Sequence, residues 1–204
     1  MTNIILSCLI GYILGSFNFA FIIGKMKGID IREKGTGNAG ASNALLTMGK
    51  LLGVLVAVLD IIKGFLAVWL CRKLFGGDYC PYLGGIFAVL GHIFPLFMRF
   101  KGGKGFATYI GMGWGIDWRL GIGLMAMTIV ITLITDYIWI ATLTTAFVTP
   151  LWLYTQGVPY PVLAVYAVLA LIMLYKHRIN IERLRNHEEI GMRAAMKKKT
   201  QDPV

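Results

Sequence analysis

The sequence predicts an all-α, polytopic membrane bundle of about seven transmembrane helices, and three observations point to that fold. Of the 204 residues, 57% are hydrophobic and only 15% are charged, and the mean hydropathy is +0.69. This composition leaves too little polar surface to cover a soluble globule of that size. Apolar runs of spanning length recur along the chain, and the basic residues collect on one side of the predicted membrane.

Seven apolar runs are candidates for crossing about 30 Å of hydrocarbon at 1.5 Å per residue. They extend approximately over Ile4–Gly24, Leu51–Leu70, Tyr82–Met98, Phe106–Ile116, Leu120–Thr135, Ile138–Tyr154 and Val162–Tyr175. The fourth run is short and rich in glycine. A count of five or six spans with re-entrant pieces therefore remains open.

The distribution of lysine and arginine predicts the orientation. With the N-terminus outside, most of the 20 basic residues fall on one side, and the opposite side receives only Arg72, Lys73 and Arg119. The basic side is expected to be cytoplasmic, with the C-terminus there. We expect residues 1–185 to form one membrane-embedded domain and residues 186–204 a basic cytoplasmic tail, whose Lys197–Lys199 run would lie on anionic headgroups.

The first polar stretch on the basic side contains a G-x-G-x-x-G pattern at Gly35, Gly37 and Gly40. It follows a membrane helix instead of a strand, so a dinucleotide-binding fold is excluded by context. Glycines still let backbone N–H groups approach a phosphate, and a helix is predicted to begin just after Ser42 and Asn43. The stretch is either an anion site or a flexible loop.

The second polar stretch is "GHIFPLFMRFKGGKGFAT", residues 91–108. It carries Lys101 and Lys104 on a glycine hinge. It is not a Walker A loop, because Met98 stands where that motif requires glycine and Gly105 where it requires serine or threonine. His92 lies near the cytoplasmic end of its span. It is a candidate catalytic group, with a hydrogen-bonded structural histidine as the alternative.

Two further pairs of polar residues complete the candidates. His177 and Asn180 are three residues apart where the last span reaches the cytoplasm, so they could share a helix face in a common pocket, or lie in an amphipathic interfacial segment. Asp60 and Lys63 have the same spacing within the second span. Ionisable groups at membrane depth usually pair, and mutual pairing already accounts for both, which favours a structural role.

Together these segments carry a resemblance that extends over nearly the whole chain. The stretches "GSFNFAFIIGK", "GIDIREKGTGNAGASN", "GKLLGVLVAVLDIIKG", "GHIFPLFMRFKGGKGFAT" and "HRINIERL" occur in this order. In these motifs the sequence resembles the bacterial acyl-phosphate:glycerol-3-phosphate acyltransferase family. The block G-H-x-x-P followed by F-K-G-G-K-G-x-A-T is far more specific than a glycine pattern alone.

The resemblance implies a multi-pass enzyme of the bacterial plasma membrane, with seven spans and an active site that faces the cytoplasm. It would transfer a fatty acyl group from acyl phosphate to the sn-1 hydroxyl of glycerol 3-phosphate, giving 1-acyl-sn-glycerol 3-phosphate and phosphate for phospholipid biosynthesis. No cofactor, metal or nucleic acid is expected. The implied partners are the two substrates, the lipid bilayer and, as a functional link, the enzyme that makes acyl phosphate.

The resemblance also implies roles for individual residues. Catalytic roles fall on Ser16, His92 and Asn180. Substrate-binding roles, for the phosphate groups above all, fall on Arg32, Gly37, Asn38, Ser42, Asn43, Lys104 and His177. No His-x4-Asp motif is present, because the fifth residue is Phe97 after His92, Glu182 after His177 and Met192 after His187. The proton of the attacking hydroxyl could therefore pass either to His92 or to a substrate phosphate.

Three positions depart from the pattern of the family. Asn18 stands where a proline is usual, Trp139 where a serine is expected, and His187 where a glycine is expected. Trp139 could reshape the substrate pocket, so a divergent paralogue is one alternative. A transporter or binding protein for a phosphorylated metabolite is another, although the repeated halves common in transporters are not evident.

Overall fold

The computed structural model describes residues 1–197, and within these residues the regular structure is helical throughout. Two short 3-10 helices, Ile31–Glu33 and Leu96–Met98, accompany the α-helices. The α-helices are α1 (Thr2–Ser16), α2 (Phe19–Met26), α3 (Ala41–Met48), α4 (Lys50–Phe75), α5 (Cys80–Ile93), α6 (Phe106–Ile116), α7 (Trp118–Thr135), α8 (Ile138–Thr155), α9 (Tyr160–Lys176), α10 (Arg178–Arg185) and α11 (Met192–Lys197).

The described residues form two compact units, residues 1–122 and residues 123–197. Lys198 and Lys199, from the basic run predicted to lie on headgroups, are outside the described residues. The division into a domain of residues 1–185 and a tail of residues 186–204 stays a prediction.

Within residues 1–197, five segments are long and apolar enough to cross a membrane: Thr2–Met26, Lys50–Phe75, Cys80–Met98, Trp118–Thr135 and Ile138–Thr155. A sixth would be α9 with α10, which meet at a bend of 44°. The predicted fourth span corresponds to α6, whose 11 residues cover only about half of the hydrocarbon thickness. The all-helical, multi-span fold is confirmed, whereas the count of seven and the orientation of the termini stay predictions.

The first predicted span is broken into two helices. α1 ends at Ser16, and α2 begins at Phe19. The Asn18 side chain stabilises the new helix start, because its Oδ1 accepts a hydrogen bond from the Phe21 N–H at 2.9 Å. The break leaves the backbone carbonyl of Phe17 outside any helix ladder, where another group can bond it.

The predicted start of α3 was wrong by a few residues. The helix begins at Ala41 after Gly40, so that Ser42 and Asn43 are its second and third residues. The physical reason is that the Asn43 side chain does not cap the helix. It turns back and accepts the Thr36 N–H at 2.7 Å instead.

Helix α4 packs against α1, α3, α5 and α6 in the first unit, and α1 packs along α5. At the α1–α5 crossing Gly11 lies against the backbone of Gly84, and a Cβ there would overlap its carbonyl. Small residues of this kind let helices in a membrane approach closely. The close packing holds the end of α1 beside the end of α5.

In the second unit α8 packs against α9. The chain beyond α10 is attached to the turn between α7 and α8 through Asp136. The Met192 N–H donates to the Asp136 carbonyl at 2.8 Å, and the Arg193 N–H donates to its carboxylate at 2.9 Å. These bonds fix the start of α11.

Candidate active site

Two glycine loops of the first unit meet beside His92. The Asn18 amide at the α1–α2 break donates to the Ala39 carbonyl at 2.9 Å, which attaches the first loop, residues 35–40. A Cβ at Gly103 in the second loop, residues 102–105, would lie 2.6 Å from that carbonyl oxygen and would overlap His92 Nε2. Only glycine fits this position, so the two polar stretches predicted separately form one structure.

His92 belongs to a buried ionic cluster with Asp60 and Lys63. The exposed fractions of these residues are 3%, 1% and 4%. Lys63 Nζ lies 2.6 Å from Asp60 Oδ1 and 2.9 Å from His92 Nδ1, and Asp60 Oδ1 is 3.4 Å from the same ring nitrogen. The predicted Asp60–Lys63 pair is confirmed, but mutual pairing does not describe the cluster completely.

Sequence reasoning missed two partners of this pair. Lys63 Nζ also donates to the Phe17 carbonyl at 2.8 Å, across the helix break. His92 follows Lys63 by 29 positions in the sequence, and no sequence spacing of that length predicts a contact. A polar pair inside an apolar span was the available signal, since buried charges need further partners.

The second glycine loop folds back on the end of α5. The N–H groups of Gly102 and Gly103 donate to the carbonyls of Ile93 and His92, at 3.2 and 3.1 Å. Lys104 is half-buried in this loop, whereas Lys101 is exposed. The two lysines of this loop therefore differ in burial, with Lys104 partly covered by the protein and Lys101 exposed.

The first glycine loop is shaped by Asn43, which is fully buried. Its amide donates to the Ile31 and Lys34 carbonyls at 2.8 and 2.9 Å. Of the other predicted ligand residues, Gly37 and Ser42 are exposed and Asn38 is half-buried.

The start of α3 provides the charge of this loop. The preceding Gly40 offers no side-chain cap, so the first N–H groups of the helix keep the partial positive charge of a helix start. An anion at Ser42, the second residue of the helix, would lie close to that charge.

Arg32 is held by Asp30 at the edge of the same loop. Its guanidinium makes two hydrogen bonds to the carboxylate, at 2.8 and 3.0 Å, and a third to the Met98 carbonyl at 3.2 Å. The hydrogen bonds from Arg32 lower the pKa of Asp30, and the same pair raises the pKa of Arg32. Three of the five guanidinium N–H groups are used in this way, which leaves two for an anionic ligand.

An apolar cleft of about 290 Å³ opens beside the α1–α2 break. It is lined by Ser16, Phe17, Asn18, Phe21, Ile22, Phe97 and Met98. The Ser16 hydroxyl donates to the Tyr12 carbonyl at 2.8 Å, within its own helix. Apart from Ser16 and Asn18, the lining residues are apolar and can pack against a hydrocarbon chain.

The remaining predicted site residues, His177 and Asn180, are buried in the second unit. His177 lies at the bend between α9 and α10, and its Nδ1 is 2.7 Å from the Met173 carbonyl. The Asn180 amide donates to the carboxylate of Glu189. Sequence reasoning missed Glu189, which is nine positions from Asn180.

Two of the three departures have a local explanation, Asn18 in the first unit and His187 in the second, and the third leaves a polar group unmatched. His187 has a φ of 59°, a left-handed conformation that glycine adopts readily, so the backbone keeps a glycine-type turn. Asn18 caps α2, as described above. The indole N–H of Trp139 is buried, and no acceptor for it exists within residues 1–197.

These features define a polytopic helical membrane protein with two glycine loops above a buried ionic cluster. Residues 5–187 match the family model described as glycerol-3-phosphate acyltransferase, and the chain belongs to this family. The resemblance read from the motifs is thereby confirmed.

Proteins of known function are similar to this chain in sequence and in fold. The chain is 38% identical to a glycerol-3-phosphate acyltransferase of Aquifex aeolicus (strain VF5), over 87% of this chain and 93% of that protein. It is 40% identical to one of Brucella anthropi, over 88% of each. The crystal structure of PlsY (YgiH), an integral membrane glycerol 3-phosphate acyltransferase, in its glycerol 3-phosphate form superposes with a TM-score of 0.85 and 36% identity, covering 92% of this chain and 94% of that chain. Its lysophosphatidic acid form gives a TM-score of 0.83 with 35% identity, covering 95% and 98% of the two chains.

Proposed function

We propose that this protein transfers a fatty acyl group from acyl phosphate to the sn-1 hydroxyl of glycerol 3-phosphate, and thereby serves phospholipid biosynthesis. The products are 1-acyl-sn-glycerol 3-phosphate and inorganic phosphate. The observation that carries the proposal is the meeting of the two glycine loops at His92, in a chain whose relatives act on glycerol 3-phosphate. Glycine loops, a helix start and nearby cations form a site suited to phosphate groups.

The two substrates need two kinds of surface, and the first unit offers both. Gly37, Ser42 and the start of α3, with Lys104 and Arg32, would bind phosphate oxygens. The apolar cleft beside Ser16 would take the first part of the acyl chain. We propose substrate-binding or catalytic roles for Asn38, His177 and Asn180 from their motifs.

The reaction requires the protein mainly to position the two substrates and to stabilise the charge of the leaving phosphate. The sn-1 oxygen attacks the carbonyl carbon of acyl phosphate, the bond from that carbon to the phosphate oxygen breaks, and phosphate leaves with the electron pair. The hydroxyl proton passes to a base or to a phosphate oxygen. Correct placement of two reactants can supply about 7 to 11 kcal/mol in the best cases, and cations near the leaving phosphate stabilise its developing charge.

We further propose that the protein lies in the bacterial plasma membrane with this site at the cytoplasmic face. The basic residues around both glycine loops support that orientation through the positive-inside rule. Acyl phosphate would then be supplied from the cytoplasmic side by the enzyme that makes it.

The first experiment tests which molecule donates the acyl group. Purified protein in detergent is given labelled glycerol 3-phosphate with acyl phosphate, acyl coenzyme A or acyl-carrier protein in turn. We expect lysophosphatidic acid from acyl phosphate alone. Product from a thioester donor but not from acyl phosphate would refute the proposed donor, and no product from any donor would refute the activity.

The two lysines of the second loop provide a matched test of the site. Lys104 is half-buried and Lys101 is exposed. Because a charge-assisted hydrogen bond contributes about 1.5 to 3 kcal/mol, Lys104→Ala should raise the KM for one substrate at least roughly tenfold. Lys101→Ala should leave KM within a factor of about three; equal effects would mean that the phosphate site is misplaced.

A further inference from the structure

The segment between α10 and α11, residues 186–191, forms a strap whose first end is fixed by α10. The N–H groups of His187 and Glu188 donate to the carbonyls of Leu184 and Arg183, at 3.1 and 2.8 Å. This pair of bonds is the Schellman arrangement in which many helices end. Most residues of the strap are exposed, so its position depends on hydrogen bonds more than on burial.

Asp136, in the turn between α7 and α8, holds the other end of the strap. Its carbonyl accepts the Met192 N–H at 2.8 Å, and its carboxylate accepts the Arg193 N–H at 2.9 Å. Gly191 is buried at this contact, and a Cβ there would overlap the Asp136 carboxylate. The Arg193 guanidinium adds a hydrogen bond to the Leu133 carbonyl at 2.6 Å. The strap is therefore attached at both ends.

The turn that carries Asp136 is itself held in place. The Asp136 N–H donates to the Thr132 carbonyl at 2.8 Å, and the Thr135 hydroxyl oxygen accepts the Tyr137 N–H at 3.2 Å. Asp136 has a φ of 67°, a left-handed conformation that asparagine and glycine also adopt. The carboxylate can therefore be altered at this position without adding backbone strain.

Glu189 lies between the two attached ends of the strap and is half-buried. Its carboxylate accepts a hydrogen bond from the buried Asn180 amide. An asparagine side chain rotates about two single bonds, so the position of this acceptor decides where the amide points. The position of Glu189 depends in turn on both attachments of the strap.

We propose that Asp136 is a positioning residue for acyl transfer, which fixes the far end of the strap and thereby holds Glu189 and the Asn180 amide in the geometry that the reaction needs. The inference rests on the proposed function, because acyl transfer is what gives Asn180 its role. The hydrogen bond from the Arg193 backbone carries the effect. The Asp136–Arg193 ion pair contributes little, since its atoms are 3.9 Å apart and the guanidinium is exposed.

Backbone hydrogen exchange of the whole protein in detergent, followed by mass spectrometry, tests the attachment itself. Asp136→Gly removes the carboxylate, whereas Asp136→Asn keeps an acceptor oxygen. Because a hydrogen bond to a charged group is lost, the peptide that contains Met192 and Arg193 should exchange roughly tenfold faster or more in Asp136→Gly. In Asp136→Asn its exchange should stay within about threefold of wild type.

A double-mutant cycle in kcat/KM tests the positioning role. Asp136→Gly should lose roughly tenfold, because a small misplacement of a reacting geometry is costly, and Asp136→Asn should retain activity within about threefold. If Asp136 acts through Asn180, adding Asp136→Gly to Asn180→Ala should cause no further loss. Losses that multiply in the double variant would overturn the proposal, since Asp136 would then act independently of Asn180.

Two glycine variants complete the design. Gly191→Ala places a Cβ where the Asp136 carboxylate lies, so it should reproduce both effects of Asp136→Gly and replaces that variant if the latter does not fold. Gly123→Ala, whose Cβ meets nothing within 4 Å, is the control and should change neither exchange nor kcat/KM.

The outcomes separate the two claims. Unchanged exchange in Asp136→Gly would refute the attachment, and faster exchange with unchanged kcat/KM would refute the positioning role. A wild-type protein without acyltransferase activity, in which Asp136→Gly still accelerates exchange, would refute the proposed function and leave the attachment of the strap in place.

Discussion

Gly103→Ala is the sharpest perturbation of the place where the two loops meet. The added Cβ would lie 2.6 Å from the Ala39 carbonyl oxygen, where ordinary contacts begin at 3.4 Å. The second loop must therefore withdraw by roughly 0.8 Å, and the overlap with His92 Nε2 demands movement in the same region. A misplacement of about 1 Å can cost 10²-fold in rate.

We expect kcat/KM for Gly103→Ala to fall by about 10²-fold, which corresponds to about 2.7 kcal/mol of transition-state stabilisation. Overpacking should also lower the free energy of unfolding by about 1 to 3 kcal/mol. Steady-state kinetics with acyl phosphate and glycerol 3-phosphate measure the first effect, and thermal unfolding in detergent measures the second.

Gly123→Ala is the matched control, because a Cβ at this position in α7 meets nothing within 4 Å. It should keep full activity and gain about 0.5 to 1 kcal/mol of helix stability. If a folded Gly103→Ala protein has a kcat/KM within about threefold of wild type, the two loops do not meet at His92 as described.

Three substitutions test the departures from the family pattern, each by thermal unfolding of the ligand-free protein. Asn18→Ala removes the cap of α2 and the donor to the Ala39 carbonyl, so it should destabilise by about 1 to 3 kcal/mol; an unchanged melting temperature would contradict both bonds. Trp139→Phe should raise the melting temperature, since it removes an N–H that has no acceptor within residues 1–197 and keeps an aromatic ring; a lower value would reveal a bond of the indole. His187→Gly should add about 1 kcal/mol by relieving the left-handed conformation, and a loss of stability would refute that interpretation.

The helical membrane fold could be predicted because its cause is local. An apolar run of about 20 residues has few alternatives to a membrane helix, and five of the predicted runs appear as segments long enough to span. The break at Phe17 was not predicted, because both sides of it are apolar and the run reads as continuous. Asn18 was the available signal, as a helix-capping residue inside an apolar run.

The candidate residues of the site could be named from the sequence, but their arrangement could not. The motifs identified His92 and Lys104, and the glycine spacing indicated a phosphate site. The contact of Lys63 with His92 joins two helices at a separation of 29 residues, and only the packing of α4 against α5 creates it. The sequence pattern therefore indicated that Asp60 and Lys63 pair only with each other, whereas Lys63 also contacts the Phe17 carbonyl and His92.

Phosphate release by the purified protein, followed with and without glycerol 3-phosphate, tests the central claim most directly. With acyl phosphate as donor, we predict that inorganic phosphate and lysophosphatidic acid appear in a ratio of about one to one and that both require the acceptor. Phosphate released at the same rate without glycerol 3-phosphate would indicate hydrolysis and would contradict acyl transfer as the function of this site.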